Sequence, residues 1–300
     1  GSEWLKLVNR NMLTYNLSTR GHAFDVLLGT EIENIDYTYF QSLGVGFQED
    51  ARPYLSNAAS LTSYTGAGYD RALFSLISKV DYSYKTKYLF SASLRQDKSS
   101  KFSREHRAGV FWSVSGAYRM SRERFMRDIR WISDLKFKGS YGVNGALPSQ
   151  NYHWQDVLLS TSYNDRPGLT TSYIGQYDLS WELNKIWNVG LEINFLRDRI
   201  RTTIEYFDRR SQDMLMSYPI SRTSGYNSML INTDAGLHNK GWEFDLKADI
   251  IDKRNFFWDI NFNFGTLDAR YYGLPTPTLD GYSRQLRMNG ARLNSWYLRN

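Results

Sequence analysis

The 300 residues include no cysteine, which excludes a disulfide scaffold and any thiolate metal site and agrees with an envelope location. No apolar run approaches the ~20 residues that a membrane-spanning helix needs. That excludes transmembrane helices but not a transmembrane barrel, whose strands alternate only weakly. Charge of one sign is nearly balanced: 37 basic residues against 31 acidic ones leave a formal charge of +6, spread along the chain. Such an excess belongs to a solvated surface rather than a nucleic-acid footprint. Catalytic signatures are missing as well. His22, His106, His153 and His238 lie far apart and form no His-x-x-x-His pair, and neither a Gly-x-Ser-x-Gly elbow nor a phosphate-cradling glycine loop occurs. An enzyme is therefore not expected, nor is a metal or cofactor. Acid pairs such as Asp249/Asp252 are too common among 31 acidic residues to indicate glycosidase chemistry.

What the chain has is aromatic residues, 16% of the total, with 22 Tyr, 16 Phe and 9 Trp against a hydrophobic share of only 41%. They fall into two-residue alternation, the period of a strand with one apolar and one polar face. Trp242, Phe244, Leu246, Ala248 and Ile250 alternate with Glu243, Asp245, Lys247 and Asp249, and Phe256, Trp258, Ile260, Phe262 and Phe264 follow after the turn Asp252–Asn255. Eight earlier stretches repeat the pattern, beginning with Leu13, Tyr15 and Leu17 and with Phe24, Val26, Leu28 and Ile32. Short connections at Thr19–Gly21, Lys85–Lys87, Arg197–Arg199 and Asp252–Asn255 alternate with long ones at 36–72, 97–108, 144–186 and 210–239. The link at 120–134 is a longer member of the short class.

An up-and-down sheet with its long loops at one end gives this pattern, as do outer-membrane barrels. A soluble β-sandwich also alternates, but Greek-key crossings would scramble the loop lengths. Tyr82, Tyr84, Tyr88, Phe256 and Trp258 flank the short turns, where an interfacial aromatic belt would stand. The expected fold is all-β: a segment of a large up-and-down antiparallel transmembrane β-barrel, ten strands long. The alternative is a soluble β-sheet module that binds carbohydrate or protein. The two differ at Phe244, Leu246, Phe256, Trp258 and Ile260, which are bare in a barrel and buried against a second sheet in a sandwich.

The ordered motifs RQDKSSKF (Arg95–Phe102), AGVFWSVSGAYRMSRERF (Ala108–Phe125) and LKFKGSYGVNG (Leu135–Gly145) resemble the barrel of SusC/RagA-type TonB-dependent outer-membrane transporters. WELNKIWNVGLEI, RIRTTIEYFDRRSQDML and NTDAGLHNKGWEF extend the resemblance over about residues 20–265. Trp112 stands where the family often has Pro, and Tyr118 where it often has Trp. The resemblance implies a barrel of about 22 strands, within the range of known barrels, of which this chain supplies part. Gly1-Ser2 reads as a cloning scar and SWYLRN as an internal end, so residues 1–300 are expected to be a partial barrel without plug, TonB-contacting segment or final strands.

The implied activity is TonB-dependent uptake of oligosaccharides, other glycans or peptides across the outer membrane of a Gram-negative, Bacteroidetes-like bacterium. The implied partners are a SusD-like surface lipoprotein, the TonB complex and outer-membrane lipid, with no nucleic acid. Rings in polar company on the long loops are candidate substrate contacts, since a sugar offers C–H faces for stacking and hydroxyls for hydrogen bonds. These are Tyr54, Trp154, Tyr163, Arg166 and Tyr226, with Tyr37, Tyr39, Tyr152, His153 and Asp165 beside them. Packing of loop on loop, or contact with the lipoprotein, is the alternative role for each. Arg119, Arg122, Arg124, Arg127 and Arg130, interleaved with Glu123 and Asp128, belong to the short-turn end as a solvated turn.

Overall fold

A computed structural model describes residues 1–50, 52, 54–164, 166–274, 278–279, 286–293 and 295. The strands are β1 (Ser2–Thr19), β2 (His22–Val45), β3 (Ser60–Tyr84), β4 (Tyr88–Ser99), β5 (Ala108–Arg119) and β6 (Ile132–Ala146). They continue as β7 (Val157–Tyr163), β8 (Arg166–Tyr173), β9 (Glu182–Phe195), β10 (Ile200–Gln212), β11 (Met214–Pro219) and β12 (Ser228–Thr233). Last come β13 (Gly236–Lys253), β14 (Phe256–Gly265), β15 (Asp268–Tyr272), β16 (Thr278–Leu279) and β17 (Leu286–Arg287). One sheet follows the order β1-β2-β3-β4-β5-β6-β9-β10-β13-β14, with every neighbour antiparallel. β15 carries the edge of β13 onward beyond β14.

The ten-strand meander matches the alternation, but the long connections differ from expectation. Most of 36–72 is strand, because β2 runs to Val45 and β3 starts at Ser60. Beyond the apolar stretch their faces carry Thr38, Ser42, Gly66 and Gly68, so backbone pairing persists where the amphipathic signal has ended. The connections 144–186 and 210–239 contain the hairpins β7–β8 and β11–β12. At the opposite end the turns are tight. Arg20 and Gly21 both take positive φ, 45° and 86°, as the two-residue turn between twisted strands requires. The 120–131 link folds into 3-10 turns at Met120–Arg122 and Arg124–Met126, and its Glu123 accepts Lys87 Nζ at 2.9 Å and the Tyr88 hydroxyl at 3.2 Å.

The chain exposes 21271 Å², whereas a compact globule of its 35.0 kDa would expose roughly 13,000 Å². A single-layer wall accounts for the excess. Trp242, Phe256, Trp258, Ile260, Phe262 and Phe264 lie bare on one face. Phe244 and Leu246 are half-covered, by lateral neighbours such as Ile204 and Phe264 in adjacent strands. From Phe256 to Phe264 the band runs eight residues, about 27 Å along the strand, close to the ≈25 Å apolar belt of outer-membrane barrels.

Rings border the band at both ends. Near the short turns Tyr88 stacks on Tyr118 with centroids 5.2 Å apart and Trp131 on Phe195 at 5.7 Å. At the other end Trp112 meets Tyr141 at 5.5 Å, Trp187 meets Tyr206 at 5.2 Å and Tyr206 meets Trp242 at 5.0 Å. The enclosed core is small and sits under the long connections: Phe102, Phe111, Leu179 and Trp181.

Candidate functional site

The face opposite the apolar band is laced by ion pairs that cross strands. Glu33 of β2 accepts Lys6 of β1 at 2.8 Å and Arg71 of β3 at 3.1 Å. Its neighbour Glu31 takes Arg10, and Arg95 of β4 lies 3.9 Å away while bonding Asp97 at 2.7 Å and Ser75 at 2.9 Å. On the other half, Glu192 of β9 accepts Lys136 and Lys138, the latter at 3.1 Å, and Lys138 reaches Glu205 of β10 at 3.2 Å. A hollow of about 740 Å³ lies along this polar half, lined in part by Lys79, Asp81, Ser91, Ser115 and Lys138. The carboxylates are half-buried on a face open to water, where solvent screening holds such pairs to roughly 0–1 kcal/mol each. Their larger effect is on register, because a one-residue slip would turn the charges toward the apolar side.

Above Glu33 the same face becomes aromatic. Tyr37 and Tyr39 of β2 stack at 6.2 Å, and Tyr69, the direct partner of Tyr37 on β3, lies 5.2 Å from it. The sequence offered Tyr37 and Tyr39. Tyr69 was missed because its stretch read as loop, although it has the parity of Arg71 and Ser75.

The long connections close over this end of the wall, and the RQDKSSKF motif supplies the closure. Phe102 is fully buried, with its ring 5.2 Å from Trp181. Trp181 also meets Phe111 edge-on at 5.1 Å and donates its indole N–H to the Arg107 carbonyl at 3.1 Å. A Cβ on Gly145 would come within 2.1 Å of the Phe111 ring, so glycine is required there by close approach. Lys101 is buried and donates to the carbonyls of Pro148 at 2.6 Å and Ser149 at 3.2 Å; burial, with Arg71 nearby, lowers its pKa. The Tyr152 hydroxyl accepts the Asp70 backbone N–H at 2.9 Å and donates to Asp70 Oδ1 at 2.6 Å, capping the β3 edge beyond the end of β4. Burial, reinforced by Asp70, raises the Tyr152 pKa.

The candidate residues divide among these loops rather than forming one pocket. Tyr54 is exposed on the 46–59 connection. Trp154 is half-buried, edge-on to Tyr177 at 6.1 Å, and its indole N–H has no protein partner among the described residues. Arg166 is exposed at the tip of the β7–β8 hairpin, opposite Tyr163. The Tyr163 side chain and Asp165 lie outside the described residues. Tyr226 bonds Thr171 of β8, so it ties the two hairpin loops together. His153 stacks on Tyr173 at 4.0 Å and burial lowers its pKa. Among the described residues no acid and histidine cluster could hold a metal ion.

A single-layer antiparallel wall with one bare apolar face, one ion-paired face and rings at both borders is the architecture of an outer-membrane β-barrel wall. Residues 1–297 match the TonB dependent receptor-like, beta-barrel family, and the chain belongs to it. Within that family it is of the SusC/RagA type. It is 29% identical over 273 residues to TonB-dependent receptor SusC of Bacteroides thetaiotaomicron, covering 84% of this chain and 26% of that protein. It is 27% identical over 281 residues to TonB-dependent receptor P3 of Formosa agariphila, covering 89% of this chain and 27% of that protein. The solved structure of the RagAB peptide transporter superposes with a TM-score of 0.90 at 26% identity, over 98% of this chain and 33% of that one. The siderophore receptor PirA from Pseudomonas aeruginosa shares the fold at a TM-score of 0.56 and 15% identity. The chain thus spans about a quarter of the length of the curated relatives it matches.

Proposed function

We propose that residues 1–300 form one stretch of the barrel wall of an outer-membrane importer that takes up oligosaccharides, other glycans or peptides with energy delivered through TonB. The plug, the remaining strands and the TonB-contacting segment come from the rest of the receptor, and a SusD-like lipoprotein lids the mouth. The host is a Gram-negative bacterium of the Bacteroidetes kind, in keeping with the SusC and P3 relatives.

The observation that carries this reading is the bare band from Phe256 to Phe264, continued across the sheet by Leu94, Leu28 and Leu13. The soluble alternative needs a second sheet over that band, and among the described residues none covers it. Tyr37, Tyr39 and Tyr69, backed by the Glu33 ion pairs, offer stacking surfaces beside hydrogen-bonding groups at the mouth. Tyr54, Trp154, Tyr163, Arg166 and Tyr226 are proposed contacts on the loops, with Tyr54 and Arg166 exposed there.

The test is uptake by a strain deleted for the receptor gene and complemented with it, fed labelled glycans or labelled peptides. Restoration of uptake for one class supports the proposal and names the substrate. Recovery of the protein from the soluble fraction, with uptake unchanged by deletion, would sink it.

A further inference from the structure

On the lipid-facing side, just beyond the Trp187–Tyr206–Trp242 belt, basic residues occupy one continuous row across the sheet. Lys185 of β9 is the register partner of Arg210 of β10, Arg210 of His238 of β13, and His238 of Arg270 of β15. Arg270 bridges in turn to Arg292. Neighbouring strands lie about 4.8 Å apart, so the Lys185–Arg270 part of the row spans roughly 15 Å. Like charges directly opposite one another destabilise a sheet. Yet the row below it supplies only Asp208 and Asp268, with Lys240 between them.

The carboxylates are already engaged. Asp208 bonds His238 Nε2 at 2.7 Å and faces Arg210 at 3.6 Å, while Asp268 holds Arg270 at 3.0 Å and Arg292 at 3.1 Å. Five cationic side chains, Lys185, Arg210, Lys240, Arg270 and Arg292, therefore face two ion-paired carboxylates, with Asp213 a third within electrostatic range of Tyr272 in the row, and neither lysine has an ion-pair partner among the described residues. Arg210, Gln212, His238, Arg270 and Tyr272 line a cleft of about 380 Å³ in this row. On β2 and β3 the outward positions beyond the apolar band are Asp36 and Asp70, so the basic row is confined to one side of the wall.

We propose that this row is a binding site for the phosphate groups of an anionic lipid in the outer leaflet, an inference that rests on the outer-membrane barrel reading. Depth supports it: Lys185 stands two residues, about 7 Å, beyond Trp187 on the same face of β9, the thickness of the headgroup layer above a hydrocarbon core. Chemistry supports it too. Guanidinium forks bind phosphate oxygens in pairs, ammonium groups add point charge, and basic residues at a membrane surface attract anionic headgroups. The lipid's acyl chains then lie along Trp187, Tyr206 and Trp242, and its phosphate supplies the counter-charge that the row lacks.

The test purifies the complete receptor from its own outer membrane in mild detergent and counts retained phosphate-bearing lipid by native mass spectrometry. Arg210→Gln/His238→Gln/Arg270→Gln is expected to lower retention by tenfold or more, on the order of the loss of several headgroup contacts. Lys185→Gln/Lys240→Gln, which breaks no ion pair of the wall, is also expected to lower it by tenfold or more. Arg209→Gln, on the same strand but on the polar face, should leave it unchanged. The site is overturned if the wild type retains no such lipid, if Arg209→Gln loses as much as the triple variant, if inorganic phosphate alone displaces the lipid at millimolar concentration, or if a second copy of the receptor occupies the row instead. A receptor absent from the outer-membrane fraction would overturn the barrel reading; a receptor present there without the lipid overturns only this site.

Discussion

At membrane height Leu191, Ile204 and Phe244 touch lateral neighbours in adjacent strands and turn the rest of their surface outward. Further along the same wall, Phe111 and Trp181 are enclosed by the chain's own loops around Phe102 and Leu179. The first region has the burial pattern of a half-finished protein and takes lipid as its missing core. The second is a small conventional core in which close packing of large rings sets the cost of any change. Ordinary core rules therefore apply only to the cap, and the depth-dependent rules of a bilayer apply below it.

The largest expected effect falls on the cap. Phe102→Ala should cost it about 3–5 kcal/mol, read as protease cutting within 100–107 and 147–181 while the wall still assembles in the membrane. Loss of barrel assembly instead would merge the two regions and break the comparison. Next is Ile204→Arg on the lipid face, at about 2–4 kcal/mol near the midplane, whereas Thr203→Arg, one residue along on the polar face, should be nearly neutral. Urea midpoints in lipid vesicles measure both, and equal losses would refute the facing assigned to β10.

Lys101→Met removes the donor for the Pro148 and Ser149 carbonyls, costing about 1–3 kcal/mol. Faster amide exchange at 147–151, without change in the wall, would sharpen the boundary between cap and wall. The smallest effect is a pH dependence at His153. Burial disfavours its charged form, so the folded pKa lies below the ordinary value of 6.5. The cap then keeps full stability above that pH and loses some as pH falls toward the depressed value, because the unfolded loop takes up the proton more readily. Exchange at 152–156 compared at pH 7.5 and 5.5 checks it, and His153→Phe should flatten the response.

How much of this was legible follows the same division. The ten wall strands could be read locally, since lipid on one side and water on the other impose a two-residue contrast on each, broken only here and there as at Phe257 within Phe256–Phe264. Above the membrane that contrast disappears. The upper parts of β2 and β3 carry glycine, threonine and serine on strands that still pair, and β7–β8 and β11–β12 have adjacent apolar residues such as Leu158-Leu159 and Leu215-Met216. Their pairing depends on what they pack against, which no local period records. The same limit hid the closure of the cap. Phe102 stood inside a recognisable motif, but its partner Trp181 lies 79 residues later, and only the fold brings them together. The charged row Lys185–Arg210–His238–Arg270 is a cross-strand feature, invisible until register is known.

The meander also sets a timetable. Each wall strand pairs with the next wall strand in sequence, and several of those joins close over two or three residues, so the sheet can grow hairpin by hairpin at little loop entropy per step. The Phe102–Trp181 contact cannot form until β5, β6 and β9 stand side by side. The cap therefore closes only after that part of the wall has paired, so its packing rests on a frame already built from neighbouring strands.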